Sequence, residues 1–227
     1  MKALFLDIDG VIKPTGKQDR FEHLGEMEDI AKELDNKFPG HHFYDYVTLE
    51  HFPENNQQIY SRKCSLGAVY FDWSKTSVKL LHHIIERSGA KIVVSSDWRD
   101  AEEQLMRAFL AVHDLEKYFY GMLDGRFCRE TEEQIKAKMY FYKLRKSYKD
   151  TFDERASEIR QYLDVHQEIT AYVALDDIKL GFPVDGHFVY FNDGVLDERK
   201  AKLAEEILEI EDGPYPLQYN KNIAQTI

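Results

Sequence analysis

The sequence predicts an α/β domain built on a doubly wound parallel sheet with helices on its faces. Short continuous apolar runs recur at ALFL (3–6), IVV (92–94) and ITAYVAL (169–175), as expected of strands buried on both faces. Helical stretches separate them, and a helix between two buried strands makes a βαβ unit, which implies parallel pairing. Each of the three runs also stops on polar residues: Asp7 and Asp9, Ser95 and Ser96, Asp176 and Asp177. Ligands of such sheets sit outside the carboxyl ends of the strands, so these side chains are expected around one crevice.

Taken in order, the first strand covers Ala3–Leu6. Residues 13–73 read as irregular, with Pro14, Gly16, Gly40 and Pro53 as breakers and one helix near 26–37. In WSKTSVKLLHHIIERSGA, Val78, Leu81 and Ile85 recur at helical spacing. Ser74 or Thr76 can cap that helix and Gly89 can end it. Lys91–Ser95 is the second strand. Residues 100–112 read as a helix with Leu105, Ala108, Phe109 and Val112 on one face, and YFYGML (118–123) as a third strand. A charged helix with Tyr140, Phe141 and Tyr142 is expected from about 130 to 148. ERASEIRQYL (154–163) forms another helix and leads into the strand 169–175. HFVYF (187–191) and a closing helix over 197–210 complete the set.

At 227 residues and 43% apolar composition the chain can bury a real core. No window approaches ~18 consecutive apolar residues, which removes the membrane-spanning helix. No cleavable signal precedes LFLDID, so the reading is cytoplasmic. Cys64 and Cys128 fit neither a metal spacing nor a disulfide framework. The net charge of −11 weakens nonspecific attraction to nucleic acid without excluding a local basic groove.

Carboxylates pushed together repel unless a cation lies between them. Oxygen ligands with few His or Cys nearby select a hard ion, Mg²⁺ above all, and Mg²⁺ takes phosphate oxygens as further ligands. The strand-end aspartates therefore point to a phosphate-handling site. A hydroxyl such as Ser95 can hold a phosphate oxygen. Arg155, at the start of the helix before the Asp176 strand, can balance charge and suits bidentate phosphate contacts. An aspartate can also attack phosphorus, and a second carboxyl two residues on can give and take the proton: Asp7 attacking, Asp9 shuttling.

LFLDIDGVI, IVVSSDW and VALDD, in this order, resemble the haloacid dehalogenase (HAD) superfamily. The resemblance implies a Rossmann-like sheet, Mg²⁺ dependence and phosphomonoester hydrolysis. It makes Asp7 the nucleophile and Asp9 the acid/base, with Asp9 offering a metal its backbone carbonyl. Ser95 becomes the phosphate-binding hydroxyl, Ser96 its alternative in register, Asp177 the direct metal ligand, and Asp176 a ligand or its supporting partner. GAKIVVSSDWR, followed by R-x-x-E-I-x-x-x-L from Arg155 to Leu163, is similar to the HAD domains of "Swiss Army Knife" RNA-repair proteins. Those domains are associated with removing terminal phosphates from polynucleotides. The expected layout is one HAD-like domain over 1–212, with cap-like inserts at about 13–73 and 124–153 and a C-terminal extension over 213–227. The third motif falls on Arg155, with Lys143, Lys146, Lys149 and Arg160 as competitors.

Other motifs read more plainly. YFNDGVLD (190–197) lacks the first aspartate of a DxDG pair and reads as a turn. Trp98-Arg99 reads as packing and a surface ion pair before substrate binding. His41-His42 and His82-His83 are poor metal pairs, because adjacent helical residues face different ways. The basic, aromatic stretch 130–149 can grip single-stranded nucleic acid, although an amphipathic helix with inward aromatics explains it more simply. The expected substrate is a terminal phosphate on nucleic acid or a small phosphorylated metabolite. A catalytically silent HAD-fold binding protein is the alternative outside enzymes.

Overall fold

A computed structural model of the chain describes residues 1–48, 59–123, 154–180, 184, 186–192 and 194–209. Its strands are β1 (Lys2–Leu6), β2 (Lys91–Val94), β3 (Phe119–Met122), β4 (Ala171–Asp176) and β5 (Phe188–Tyr190). They form one parallel sheet in the order β3-β2-β1-β4-β5. The chain winds outward from β1 through β2 to β3, then returns to lay β4 on the opposite side of β1. The winding therefore reverses between β1 and β4.

Side chains alternate across the strands with a period of two, so each strand feeds two cores. Leu4, Leu6, Ile92, Val94, Val173 and Leu175 belong to the larger core. Helices α1 (Met27–Lys37), α4 (Lys75–Ser88), α5 (Glu103–Ala111) and α7 (Glu198–Leu208) supply its other wall. Ala3, Phe5, Val93 and Ala174 enter a second core with Ala156, Ile159 and Leu163 of α6 (Glu154–Val165). This is the α/β, Rossmann-like sheet flanked by helices that the apolar runs predict. Among the described residues no helix is long and apolar enough to cross a membrane.

The helix ends follow their local chemistry. The Ser74 hydroxyl accepts from the Ser77 amide at 3.2 Å and caps α4, while Gly89, at φ 71°, closes it in the left-handed conformation only glycine adopts cheaply. Asp197 caps α7 by accepting from the Lys200 amide at 2.8 Å. The expected 100–112 helix begins later, at Glu103. Ser96 caps a separate 3₁₀ turn over Asp97–Asp100, and extended backbone at Ala101 and Glu102 divides the two.

The segment 13–73 is more helical than expected. Besides α1 it holds α2 (Phe43–Thr48), α3 (Ile59–Gly67) and a π-helical turn over Ala68–Asp72. Asp35 starts α2 by accepting the Phe43 and Tyr44 amides at 2.7 and 2.9 Å. The buried side of α3 carries Arg62, whose guanidinium donates to the Tyr46 carbonyl at 3.2 Å and lies over the Tyr46 ring. A buried cation hides that face from a hydrophobic pattern. Asp72, fully buried, accepts from the Arg20 guanidinium and backbone, tying the start of the segment to its end. The predicted helix over 130–148, Cys128, the lysine competitors of Arg155 and the extension 213–227 lie outside the described residues.

Trp73, 2% exposed, stacks on the His113 ring, and His113 Nε2 pairs with the Val69 carbonyl at 2.8 Å. Burial holds this imidazole below its usual pKa of 6.5. The unfolded chain then binds the extra proton first, so stability falls as pH drops through and below 6.5. His113→Phe should lower the urea midpoint at pH 7.5, where the lost hydrogen bond costs about 1 kcal/mol. Its deficit should shrink at pH 5.5. A constant deficit at both pH values would count against this account.

Candidate active site

Register builds the site. Leu6 pairs with Val94 on one side and Leu175 on the other. The next residue of each strand therefore comes into line at the carboxyl edge: Asp7 between Ser95 and Asp176. The Asp7 amide donates to the Leu175 carbonyl and the Ser95 amide to the Leu6 carbonyl, both at 2.9 Å. This edge is also where the winding reverses, the place where open α/β sheets bind ligands.

Oxygens of Asp7, Asp176 and Asp177 all lie within 4.8 Å of one another. Asp176 is fully buried and Asp7 only 3% exposed. Burial, then the neighbouring Asp176 charge, push the Asp7 carboxyl up to about 7 from the usual 3.8. Burial also raises Asp177, whose carboxyl is hydrogen-bonded to that of Asp7. Such a contact between two carboxyls needs a proton between them, or a cation in its place. The cluster can hold a metal ion on oxygen ligands alone.

Arg155 lies against these carboxylates. It is 7% exposed, and its Nη1 donates to both Asp176 oxygens at 3.0 and 3.2 Å and stands 3.5 Å from Asp7 Oδ1. Nη2 donates to Asp97 Oδ1 at 2.9 Å. Burial works against the guanidinium charge, and Asp176 and Asp7 outweigh it, so Arg155 titrates above its usual range. The Ser96 hydroxyl bonds the Asp7 carboxylate and caps the following turn, while Ser95 is wholly buried at the strand end.

Two features shape the edge further. Gly10 has φ +77°, and a Cβ there would lie 2.7 Å from the Cβ of Asp177 and closer still to its carboxyl. Asp176 Oδ1 also accepts the Ile178 amide at 2.8 Å, which turns the chain sharply after β4 and aims Asp177 back at Gly10. Beside Asp177 opens a cleft of about 460 Å³, lined by Gly10, Thr15, Tyr190, Asn192 and Val195 among others.

The strand-end motifs thus meet: Asp7, Ser95, Ser96, Arg155, Asp176 and Asp177 share one edge. The Asp9 carboxylate is not one of the three clustered ones, although its charge acts on Asp177. Its carboxylate accepts from the Trp98 indole N–H at 2.7 Å and pairs with the Lys13 ammonium. The sequence reading set Trp98 aside as packing and did not single out Lys13 or Asp97. The spacing of Lys13, four residues after Asp9 in a glycine turn, was the one available signal.

A model of the HAD domain in Swiss Army Knife RNA repair proteins matches residues 3–199. No curated protein and no solved structure matches the chain. The matched span runs from β1 into α7 and takes in every strand-end motif of the site. The chain therefore belongs to the family of HAD domains found in Swiss Army Knife RNA repair proteins, within a superfamily of hydrolases.

Proposed function

We propose that the protein is a Mg²⁺-dependent phosphomonoesterase that passes the phosphoryl group through Asp7. The observation that carries this reading is the convergence of Asp7, Asp176 and Asp177 to within 4.8 Å at the sheet edge. An oxygen-only donor set suits Mg²⁺, with the Asp9 backbone carbonyl as a further ligand. Bound there, Mg²⁺ would offset the charge of the carboxylates and of the incoming phosphate.

The chain's own groups divide the remaining work. The Asp7 carboxylate attacks phosphorus, the ester bond breaks, and Asp9 protonates the departing oxygen. Asp9 then takes a proton from water, whose oxygen attacks the phosphoryl group and frees Asp7. Ser95 and Ser96 offer hydroxyl and amide donors to the phosphate oxygens, and Arg155 balances the carboxylates and faces the same phosphate. The cleft beside Asp177 seats the group attached to the phosphate. In this reading 1–212 act as one cytoplasmic domain whose segment 13–73 shapes access to the site.

Two substrate classes remain distinct. The RNA-repair family supports a terminal phosphate on nucleic acid, whereas the net charge of −11 supports a small phosphorylated metabolite. Phosphate release from 3′- and 5′-phosphorylated oligonucleotides, beside sugar and nucleoside phosphates, separates them. EDTA should abolish release and Mg²⁺ restore it. Full activity in EDTA, or no release from any member of the panel, would defeat the proposal.

A further inference from the structure

We infer that Lys13 and Trp98 are positioning residues that hold the Asp9 carboxyl in line for proton transfer to the leaving oxygen. The inference rests on the role proposed above for Asp9. The Asp9 side chain is 43% exposed, so packing restrains it less than it restrains the buried carboxylates of the cluster. Its two oxygens are instead taken by two different donors: the Lys13 ammonium on Oδ1 and the Trp98 indole N–H on Oδ2 at 2.7 Å. Fixing both oxygens fixes both side-chain torsions. A group that transfers a proton must sit within about 2.6–3.2 Å of its partner, so this restraint acts directly on the rate.

Both donors are themselves held. The Trp98 ring stands edge-on to Trp73 at 6.3 Å and to Phe109 at 5.7 Å between centroids. Lys13 is 9% exposed, and burying an ammonium costs free energy unless it is paired. Its backbone closes the turn that carries Asp9: the Gly10 amide donates to the Lys13 carbonyl at 2.8 Å, and the Lys13 amide to the Ile8 carbonyl at 2.9 Å. Packing alone would account for the ring of Trp98. It would not account for an indole N–H and a buried ammonium meeting on one half-exposed carboxylate outside the metal cluster.

The test compares esters that differ in their need for a proton. p-Nitrophenolate departs unprotonated, whereas an alkoxide does not. First-turnover alcohol release is measured for p-nitrophenyl phosphate and for a simple alkyl phosphate. In Trp98→Phe, which keeps an aromatic ring and deletes the N–H, release from the alkyl ester should fall about tenfold or more. Release from the p-nitrophenyl ester should stay within about twofold, with the half-saturating substrate concentration of the first turnover unchanged on both. Lys13→Met, which keeps the aliphatic stem, should show the same split, and carries the comparison alone if Trp98→Phe does not fold. Equal losses on the two esters, or no loss on either, overturn the inference. Wild-type protein inactive on both esters defeats the hydrolase reading instead.

Discussion

Asp7→Asn is expected to lower Mg²⁺-dependent phosphate release by at least about 10³-fold, because the amide cannot attack phosphorus. Acid quenching during turnover of labelled substrate should leave label on the wild-type chain and none on the variant. Retained turnover excludes Asp7 as the attacking group. The same substitution should act on stability with the opposite sign. The native Asp7 carboxyl titrates at about 7 against 3.8 when free, chiefly through burial and then through Asp176. Between those values the folded chain keeps a proton that the unfolded chain gives up. Metal-free wild type therefore loses stability as pH rises from about 4 through 7, and this loss levels off above that. Asn has no charge to lose, so in EDTA at pH 8 the variant should be more stable than wild type by roughly 1–3 kcal/mol. Urea midpoints across pH 5 to 8 check this, and a variant less stable throughout would refute it.

Gly10→Ala is expected to damage fold and site together. At φ +77° a side chain costs roughly 1–2 kcal/mol by itself. The added methyl would also overlap Asp177, which must move away from Asp7 and Asp176. A total loss of about 2–4 kcal/mol follows, with a smaller Mg²⁺-induced rise in Tm than in wild type. The two contributions separate in a double-mutant cycle. In an Asp177→Gly background every clashing side-chain atom of residue 177 is gone, and Gly10→Ala should cost only its backbone share. An equal cost in both backgrounds would show that the contact with Asp177 is unimportant.

Much of this architecture was legible in the chain. ALFL, KIVV and the run ending at Asp176 announce themselves because both faces of each strand are buried, leaving no polar alternation to blur them. Ser74 and Gly89 mark the ends of α4 by chemistry that acts over one turn. What escaped depends on distance or on buried charge. The order β3-β2-β1-β4-β5 is a property of long-range pairing, invisible to any local pattern. α3 was missed because Arg62 occupies its inner face, and the short α2 because six residues are too few to display a period. At the site, the strand-end residues were found because three separate strands repeat the same sign. Trp98 reads as packing in the sequence, because no local pattern reveals that its indole N–H reaches Asp9 at 2.7 Å. Lys13 reaches Asp9 only because Gly10 allows the intervening turn to close.

The place of β1 at the centre of the sheet has a consequence for the birth of the protein. Ala3 pairs with Lys91 and with Tyr172, so this strand leaves the ribosome well before either partner exists. Until translation reaches β4, its apolar side chains have no complete sheet to enter and depend on chaperones or loose collapse for shelter. Pairings this remote in sequence are slow to form. The Asp7 carboxylate thus meets Asp176 and Asp177 only after β4 has been made and has paired with β1, and an amino-terminal fragment that stops short of β4 lacks two of the three clustered carboxylates.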